Sequence, residues 1–402
     1  MPAFDTIRVL DLTHGVAGPF STMILGDFGC DVLKVERPGR GDASRYMNVS
    51  RRFTTDIPRV GGDYFMAINR NKRSVTVDFK DPRGIDLVRS LAEHCDIVVQ
   101  NFRPGVVERL GIGPVELMGR NPSLIYASLN AYGEKGPLAA HPGMDVAVQA
   151  RSGVMSITGH GGDDGPVKPG VSLADFSGGV QLTLAIMAAL FRRQLSGRGE
   201  DVRVSLLDAT MSMLINYSVA VTDGDADIAP MGSGHPQLAP FEAVPTADGY
   251  LVIAPGTNRL FADLCTLLKR PDLLEDPRFA GNPQRVEHRP ELMAKLGPVF
   301  AEKTTGEWLA ELEDAGIPCA PVNTLKQAFA EEQLVANGMI HTLDHPALGS
   351  LTQLGSPYLV DGERLPLRMP PPMLGEHTDT VLAEVLGLTP DALSGLHADG
   401  VI

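Results

Sequence analysis

The sequence predicts an α/β fold: a doubly wound parallel sheet in a large domain, with a smaller α+β domain. The main observation is that short apolar strand patterns alternate with helical patterns over about the first 130 residues. Strands separated by helices pair as parallel neighbours, with the helices packed on the faces of the sheet. The composition agrees with this class, since 43% hydrophobic and 21% charged residues are typical of a globular protein.

The strand candidates are short, mostly apolar runs bounded by glycine, proline or polar residues. They cover residues 7–12, 31–36, 74–78, 96–100, 124–129 and 201–205. Helical patterns at 19–28, 84–92 and 114–119 lie between some of them. Two further helices, predicted at 178–195 and 206–219, are apolar nearly all round. We expect both to be buried in the core or at a subunit interface.

A change of composition at Asp223 marks the end of this pattern. Residues 223–240 are rich in Asp, Gly and Pro and predict a linker. Strand patterns at 241–244 and 250–254 then flank Asp248-Gly249, which is a hairpin signal. Residues 225–330 are therefore predicted to form a separate small domain. Short strands at 340–343 and 351–354 and a helix at 378–386 follow.

The charge distribution limits the class of partner. The formal net charge is −14, which argues against nucleic acid and anionic membranes as partners. Residues 1–110 carry 16 Lys and Arg against 14 Asp and Glu, a net +2 that leaves −16 for the remainder. A polyanionic ligand should therefore bind to the N-terminal part of the chain.

The sequence also predicts a cytoplasmic protein without a metal. The four cysteines lack metal-ligand spacing and indicate reduced thiols. The N-terminus lacks a signal-peptide pattern, and the longest apolar run, 184–191, is too short to span a bilayer. His341 and His345 have a spacing of four, but their segment reads as a strand, so we expect no metal there.

Basic and turn-forming residues recur near the ends of the predicted strands. Ligands of a doubly wound sheet bind outside the carboxyl ends of its strands, and such residues suit a nucleotide diphosphate. The residues are Arg37, Lys72, Arg73, Lys80, Asn101, Phe102, Arg103 and Arg109, of which Phe102 offers a face to an adenine ring. Glu36 leaves an NAD-dependent oxidoreductase as a rival class. However, the first loop lacks the G-x-G-x-x-G pattern.

Two aspartates are the candidates for chemistry. Asp175 is a single carboxylate in an uncharged run that precedes an apolar helix pattern, and Asp145 follows Gly143-Met144. A partly desolvated carboxylate near helix-terminal N–H groups can be a nucleophile. The alternative is that both aspartates are ordinary helix N-caps. The segment Gly232-Ser233-Gly234-His235 is either a cover for an active site or the last turn of the linker.

Several of these motifs occur in an order that resembles one family. They are Asp11-Leu12-Thr13 with Ala17-Gly18-Pro19, Val35-Glu36-Arg37-Pro38-Gly39, Asn71-Lys72-Arg73-Ser74, Asn101-Phe102-Arg103-Pro104-Gly105, Gly143-Met144-Asp145, Pro318-Cys319-Ala320-Pro321-Val322 and Leu374-Gly375-Glu376-His377-Thr378. The chain resembles the class III CoA-transferases, the formyl-CoA/carnitine type, a family that also contains the α-methylacyl-CoA racemases.

The resemblance implies a Rossmann-like large domain built from both chain ends, 1–224 and 331–402, and a small domain, 225–330. It implies a homodimer of interlocked rings. It implies an acyl-CoA donor and a carboxylic acid acceptor, with coenzyme A thioesters as substrates and no tightly bound cofactor.

The resemblance also implies roles for single residues. It places the nucleophile at Asp175 and a second active-site carboxylate at Asp145. It places the coenzyme A contacts at Val16, Arg37, Val77 to Lys80, Asn101, Phe102 and Arg109. The implied mechanism carries coenzyme A on Asp175 as an aspartyl thioester.

Departures from the family pattern narrow the expected substrates. Met144 stands where the racemases have a proton-transferring histidine, which disfavours a racemase. Val16 stands where the formyl-CoA enzymes have glutamine, and Gly232 to His235 replace a run of glycines. We therefore expect a larger donor such as succinyl-CoA and a dicarboxylic or other organic acid as acceptor. Backbone N–H groups near Gly178 or in the Gly232–Gly234 loop are candidate oxyanion donors.

Overall fold

The computed structural model describes residues 4–50, 57–160 and 165–402. The chain divides into two compact units. The larger unit comprises Met1–Val154, Pro169–Asp225 and Glu332–Ile402, and the smaller comprises Met155–Lys168 and Ala226–Glu331. The segment Met155–Lys168 was predicted in the large domain. It packs instead with the smaller unit, where the Gly232 N–H donates to the Gly159 carbonyl at 2.7 Å.

A six-stranded parallel sheet forms the centre of the larger unit. Its strands are β1 (Arg8–Asp11), β2 (Asp31–Glu36), β3 (Lys72–Thr76), β4 (Ile97–Gln100), β5 (Ile125–Asn130) and β6 (Asp201–Ser205). The strand order 3-2-1-4-5-6 is that of doubly wound dinucleotide-binding sheets. The predicted parallel α/β sheet is confirmed.

Helices connect and cover these strands. They are α1 (Ala17–Asp27), α2 (Ile57–Val60), α3 (Asp63–Ile68), α4 (Pro82–Glu93), α5 (Val106–Leu110), α6 (Pro114–Arg120), α7 (Asp145–Arg151), α8 (Leu173–Ser196), α9 (Leu206–Ser212) and α10 (Ile215–Thr222). Alternate strand residues enter different cores. Leu10 and Val98 pack with α4 and α6, whereas Val9 and Val99 pack with α1 and α8. The sheet is therefore buried on both faces.

The apolar helices differ from their prediction in extent and in burial. α8 begins five residues before the predicted start at 178, which puts Asp175 inside its first turn. The second predicted helix is two helices, because i→i−3 bonds at Met213 and Leu214 interrupt the α-helical ladder. No residue of α10 is buried, so burial in this chain's own core is wrong for that helix.

α8 is long and apolar enough to cross a bilayer. Over an 18-residue window its mean hydropathy is 1.5, but half of that window is buried within this unit. A core helix passes the same test of length and composition, so the helix is weak evidence for a membrane.

The smaller unit contains a three-stranded antiparallel sheet and six helices among its described residues. They are β7 (Glu242–Pro245), β8 (Tyr250–Ile253), α11 (Asn258–Leu267), α12 (Pro271–Glu275), α13 (Asn282–Glu287), α14 (Arg289–Phe300), α15 (Thr305–Asp314), β9 (Cys319–Pro321) and α16 (Leu325–Ala328). The predicted hairpin is confirmed, since β7 pairs with β8 and the Thr246 N–H donates to Gly249 across the turn at 2.9 Å.

The C-terminal segment returns to the larger unit. Its elements are α17 (Glu332–Ala336), β10 (Ile340–His345), β11 (Gly349–Leu354), β12 (Leu359–Val360), β13 (Glu363–Arg364), α18 (Thr378–Leu386) and α19 (Pro390–Ala398). Val381 and Leu382 of α18 join the core that contains β3 and α4. The C-terminal end of the chain therefore contributes a helix to the core on one face of the N-terminal sheet.

Candidate active site

Asp145 accepts three hydrogen bonds in the larger unit. Its Oδ1 accepts the N–H groups of Ala174 at 2.9 Å and of Asp175 at 3.3 Å, and its Oδ2 accepts Gln149 Nε2–H at 2.6 Å. The first N–H groups of a helix have no partner within the helix, and the Ser172 side chain does not cap α8. The alternative interpretation of the sequence was that Asp145 is a helix N-cap. Asp145 does cap a helix, but from the start of α7 it caps the neighbouring helix α8.

A glycine lets Asp145 reach that position. A Cβ on Gly143 would lie 2.1 Å from the Ala131 Cβ, which is impossible without a shift of the backbone. Gly143 thus allows the segment before α7 to approach the end of β5 closely. The approach brings the first turn of α7 beside the first turn of α8.

Asp175 has a different environment. Its carboxylate lies partly buried in the first turn of α8 and accepts no hydrogen bond from the residues that the structure describes. Burial is the larger cause and the Asp145 charge the smaller one, and together they raise the pKa of Asp175 to about 7. A carboxylate with these properties is basic and is not stabilised by donors, as a nucleophile requires.

The Asp175 carboxylate opens onto a cavity of about 500 Å³, which we call the aspartate cavity. Its lining is largely apolar or neutral, and among the residues that the structure describes its ionisable side chains are His14, Tyr64, Asp145 and Asp175. Burial lowers the pKa of His14 from its ordinary value. Met144 lies on this lining with 70% of its surface exposed, and a thioether cannot transfer a proton.

A second cavity of about 310 Å³ lies at the carboxyl ends of β1 to β3, and we call it the cation cavity. The lining carries the carboxylates of Glu36, Asp42 and Asp78, and the first two are held in buried ion pairs. Arg37 and Lys80 line it as well, together with the apolar side chains of Val35, Val77 and Phe102. Neither of the two cations has an ion-pair partner in the described part of the chain. Both cavities share His14 and Ala43 in their linings, so a ligand can extend from one to the other.

A buried network of charges holds the loop between the two cavities. Lys34 pairs with Asp42 at 2.8 Å and donates to the Thr13 carbonyl at 2.9 Å. Asp42 accepts the Gly15 N–H at 2.9 Å. The Asn101 side chain accepts the His14 N–H and donates to the His14 carbonyl, at 2.9 and 2.7 Å. The backbone from Thr13 to Gly15 is thus fixed on both sides.

The structure brings most of the predicted ligand residues together. Arg37, Val77, Lys80 and Phe102 line the cation cavity, and Val16 and Asn101 line the aspartate cavity. Arg103, before α5, and Arg109, within α5, are exposed and line neither cavity.

Lys72 and Arg73 need a correction, because their segment begins β3 and so lies at the amino end of that strand. Lys72 is fully buried, and its ammonium donates to Asp11 at 3.0 Å and to the Pro19 carbonyl at 2.8 Å. Arg73 pairs with Asp31 and Glu384, at 2.6 and 2.9 Å. Both cations are occupied by the protein itself.

Two other predictions also change. Both carboxylate oxygens of Glu36 accept hydrogen bonds from the Arg45 guanidinium at 2.7 Å, so Glu36 is unavailable to a ribose. This argues against the rival class, an NAD-dependent oxidoreductase. Gly178 lies in the second turn of α8, where its N–H belongs to the helical ladder and cannot serve as an oxyanion donor.

The segment Gly232–His235 lies in the smaller unit. There Gly232 adopts φ 62°, and the Arg289 guanidinium donates to the His235 carbonyl. Its role at an active site stays a prediction.

Sequence reasoning missed Gln149 and the Lys34–Asp42 pair. The spacing of four between Asp145 and Gln149, which puts both side chains on one helix face, is the signal that could have identified Gln149. No such signal exists for Lys34 and Asp42, because their contact crosses from a strand to a loop.

Similarity to known proteins identifies the family of this chain. The family model of CoA-transferase family III matches residues 4–378. The chain belongs to this family, and it is a CoA-transferase.

Individual relatives are similar over nearly the whole chain. It is 38% identical to the mouse (Mus musculus) succinyl-CoA:glutarate CoA-transferase, over 100% of this chain and 91% of the relative. It is 35% identical to the succinate–glutarate CoA-transferase of Agrobacterium fabrum, over 96% of each chain. A solved CAIB/BAIF family protein from Brucella suis is 34% identical, covers 95% of this chain and 99% of its own, and has a TM-score of 0.84.

Proposed function

We propose that this enzyme transfers coenzyme A from succinyl-CoA to a dicarboxylic acid such as glutarate, through a thioester on Asp175. The observation that carries the proposal is the Asp175 carboxylate. It is partly buried, has a pKa of about 7 and lacks a hydrogen bond from any described residue. The succinyl-CoA:glutarate relatives support the choice of donor and acceptor.

The two cavities suit the two ends of a coenzyme A thioester. Arg37 and Lys80 offer free cations to the phosphates, and Phe102 offers a ring face to the adenine. The pantetheine arm would pass His14 and Ala43 and deliver the thioester to Asp175. Binding energy from the nucleotide end would then hold the reacting carbonyl close to the carboxylate.

The transfer proceeds in balanced steps. An Asp175 oxygen attacks the succinyl carbonyl, the C–S bond breaks, and a mixed anhydride and the coenzyme A thiolate result. The thiolate attacks the aspartyl carbonyl, which releases succinate and leaves an aspartyl thioester. The acceptor carboxylate then attacks that thioester, expels the thiolate and forms a second anhydride. The thiolate attacks the acceptor carbonyl, and Asp175 is regenerated. Exchange between thioesters is nearly thermoneutral, so positioning suffices.

Chemical trapping tests the intermediate. Enzyme mixed with succinyl-CoA and quenched with hydroxylamine should carry a hydroxamate on Asp175, found by mass spectrometry of its peptide. Borohydride should instead reduce the same carbonyl to an alcohol. The Asp175→Asn variant should stay unlabelled, and Asp208→Asn, a carboxylate elsewhere in the larger unit, should label like wild type. Label on another residue, or none with any acyl-CoA donor, would refute the mechanism.

The racemase alternative has no supporting observation on the aspartate cavity. Met144 occupies the place where the family resemblance puts a proton donor, and its side chain faces this cavity. Incubation of a 2-methylacyl-CoA in D₂O without acceptor acid should leave the α-carbon unlabelled. Incorporation of deuterium at a rate comparable to transfer would reverse the assignment.

We also propose that the enzyme is a homodimer. The support is a concentration of exposed apolar side chains on α8, α9, α10 and the turn between α9 and α10, because clustered apolar surface marks an interaction site. They are Leu184, Phe191, Leu195, Met211, Met213, Ile215, Val219 and Val221. Light scattering should give twice the 42.9 kDa chain mass. The Phe191→Glu variant should lower the measured mass or aggregate, whereas a monomeric wild type would exclude the dimer.

A further inference from the structure

Gln149 is a buried polar side chain that the mechanism above does not use. It is fully buried on α7, and its Nε2–H donates to Asp145 Oδ2 at 2.6 Å. A second, longer contact joins Nε2 to the Val171 carbonyl at 3.4 Å. Asp145 and Gln149 are the first and fifth residues of α7, so their side chains lie on the same helix face.

The carbonyl oxygen of the Gln149 side chain lowers the stability of the fold. This atom, Oε1, is buried and has no hydrogen-bond partner among the described residues. A buried acceptor without a partner is destabilising, and an apolar side chain of the same size would avoid that cost. Folding stability therefore does not explain a glutamine here, whereas its bond to Asp145 does.

The bond to Asp145 decides which carboxylate occupies the α8 N–H groups. An aspartate at the third position of a helix, as Asp175 is in α8, ordinarily turns back to the free N–H groups at the helix start. Here Asp145 Oδ1 already accepts two of them. Gln149 holds the other oxygen of Asp145, so the half-buried carboxylate cannot rotate toward the cavity.

We propose that Gln149 is a positioning residue: it locks Asp145 onto the start of α8, which keeps Asp175 without donors and in reach of the thioester. The inference rests on the proposed function of Asp175. In this arrangement Asp145 supplies a fixed negative charge beside the nucleophile, and that charge disfavours the ionised Asp175 and favours its acylated, neutral form. Loss of Gln149 would free Asp145 and let Asp175 take the N–H groups.

The ionisable groups around Asp175 are few, which makes a pH profile readable. Asp145 on α7, Tyr64 on α3 and His14 after β1 face the same cavity, and no other ionisable side chain in the described part of the chain lines it. His14 has a lowered pKa through burial. An acid limb near pH 7 in the rate of thioester formation therefore reports Asp175.

The test compares Gln149→Met, which keeps the size but cannot donate, with Ser152→Ala. The Ser152 Oγ donates to the Gln149 carbonyl at 3.0 Å, so Ser152→Ala removes a hydrogen bond from the same helix without touching Asp145. The measurement is the single-turnover rate of thioester formation from succinyl-CoA between pH 5 and 9.

In Gln149→Met we expect the acid limb to move about one unit to lower pH. We also expect the plateau rate to fall roughly tenfold, because a less basic and less well placed carboxylate attacks more slowly. Ser152→Ala should leave the limb in place. Gln149→Glu, which can donate only when protonated, should recover more of the rate at pH 6 than at pH 8.

An unchanged acid limb in a folded Gln149→Met variant would overturn the proposal, and so would the same shift in Ser152→Ala. If Gln149→Met does not fold, Gln149→Glu decides the question, and the same fraction of the wild-type rate at pH 6 and at pH 8 would count against the proposal. Failure of the proposed function looks different, because wild-type enzyme would then form no thioester on Asp175.

Discussion

The buried charges around Asp11, below the β1–α1 loop, and the aspartate cavity shift carboxylate pKa values in opposite directions. For Asp11, burial alone would raise the pKa, but the charges of two lysines, Lys72 and Lys34, together with hydrogen bonds from two threonine hydroxyls, outweigh burial and hold the pKa well below the ordinary range. In the cavity, burial raises the pKa of Asp175, and the nearest charge is the like charge of Asp145. The carboxylates paired with buried lysines stabilise the structure, whereas Asp175 has no such partner among the described residues and is available for reaction.

The largest expected effect tests the reactive side of this comparison. Asp175→Asn removes the nucleophile but keeps its shape, so the rate of coenzyme A transfer should fall roughly 10⁴-fold or more. Steady-state assays with succinyl-CoA and glutarate measure the rate, and binding of coenzyme A should persist in calorimetry. An asparagine variant with a rate within tenfold of wild type would show that Asp175 is not the nucleophile.

The next effect tests the structural side. Lys72→Met leaves Asp11 buried without its nearest cation, and the free energy of unfolding should fall by about 3–5 kcal/mol. Urea denaturation at pH 7 measures it. The exposed pair of Arg120 and Glu116 is the control, since Arg120→Ala should leave stability unchanged. Equal effects of the two substitutions would mean that the network is not rigidly buried.

A smaller effect connects reactivity to stability. The pKa of Asp175 is about 7 in the folded protein, above its ordinary value of 3.8, so the folded state holds the proton to higher pH. Stability should therefore fall as pH rises from about 4 to 7, and the penalty is complete above that window. The free energy of unfolding of the Asp175→Asn variant should exceed that of wild type by about 1–3 kcal/mol at pH 8. At pH 4 the two proteins should be equally stable.

The outcome is read from urea titrations at both pH values. A gain that is independent of pH would arise from the loss of something other than the carboxylate charge. A loss of stability at pH 8 would mean that Asp175 is paired in solution.

The smallest effect concerns the cation cavity. Arg37→Ala removes one free cation from its lining, so the KM for succinyl-CoA should rise roughly tenfold while kcat stays within about twofold. Arg120→Ala, on α6 and away from both cavities, should change neither constant. A fall in kcat without a change in KM would place Arg37 in the reaction step rather than in binding.

The sequence predicted the sheet well because each strand pattern is local. The strands predicted at 31–36 and 201–205 match β2 and β6 in both bounds. The start of α8 was predicted too late, because the residues before Gly178 have no helical apolar pattern. The helix is extended there by Asp145, an acceptor from a different helix that caps its first turn.

The basic residues show the same limit. Arg37 and Lys80 lie at the carboxyl edge of the sheet, where the sequence predicted them, because each follows the end of a strand. Lys72 was misplaced because the sequence does not reveal whether a basic residue ends a turn or begins a strand. Only the fold shows that its ammonium meets Asp11 inside the protein.

The sequence by itself determined the α/β class, the strand order along the chain and the two aspartates as candidates for chemistry, since these follow from local apolar periodicity and residue type. The tertiary structure decided which of the two aspartates accepts the helix N–H groups and which one is without a hydrogen-bond donor among the described residues. That choice depends on hydrogen bonds between residues about 30 positions apart in sequence, from Ala174 and Asp175 to Asp145. A contact of this kind exists only after the chain folds.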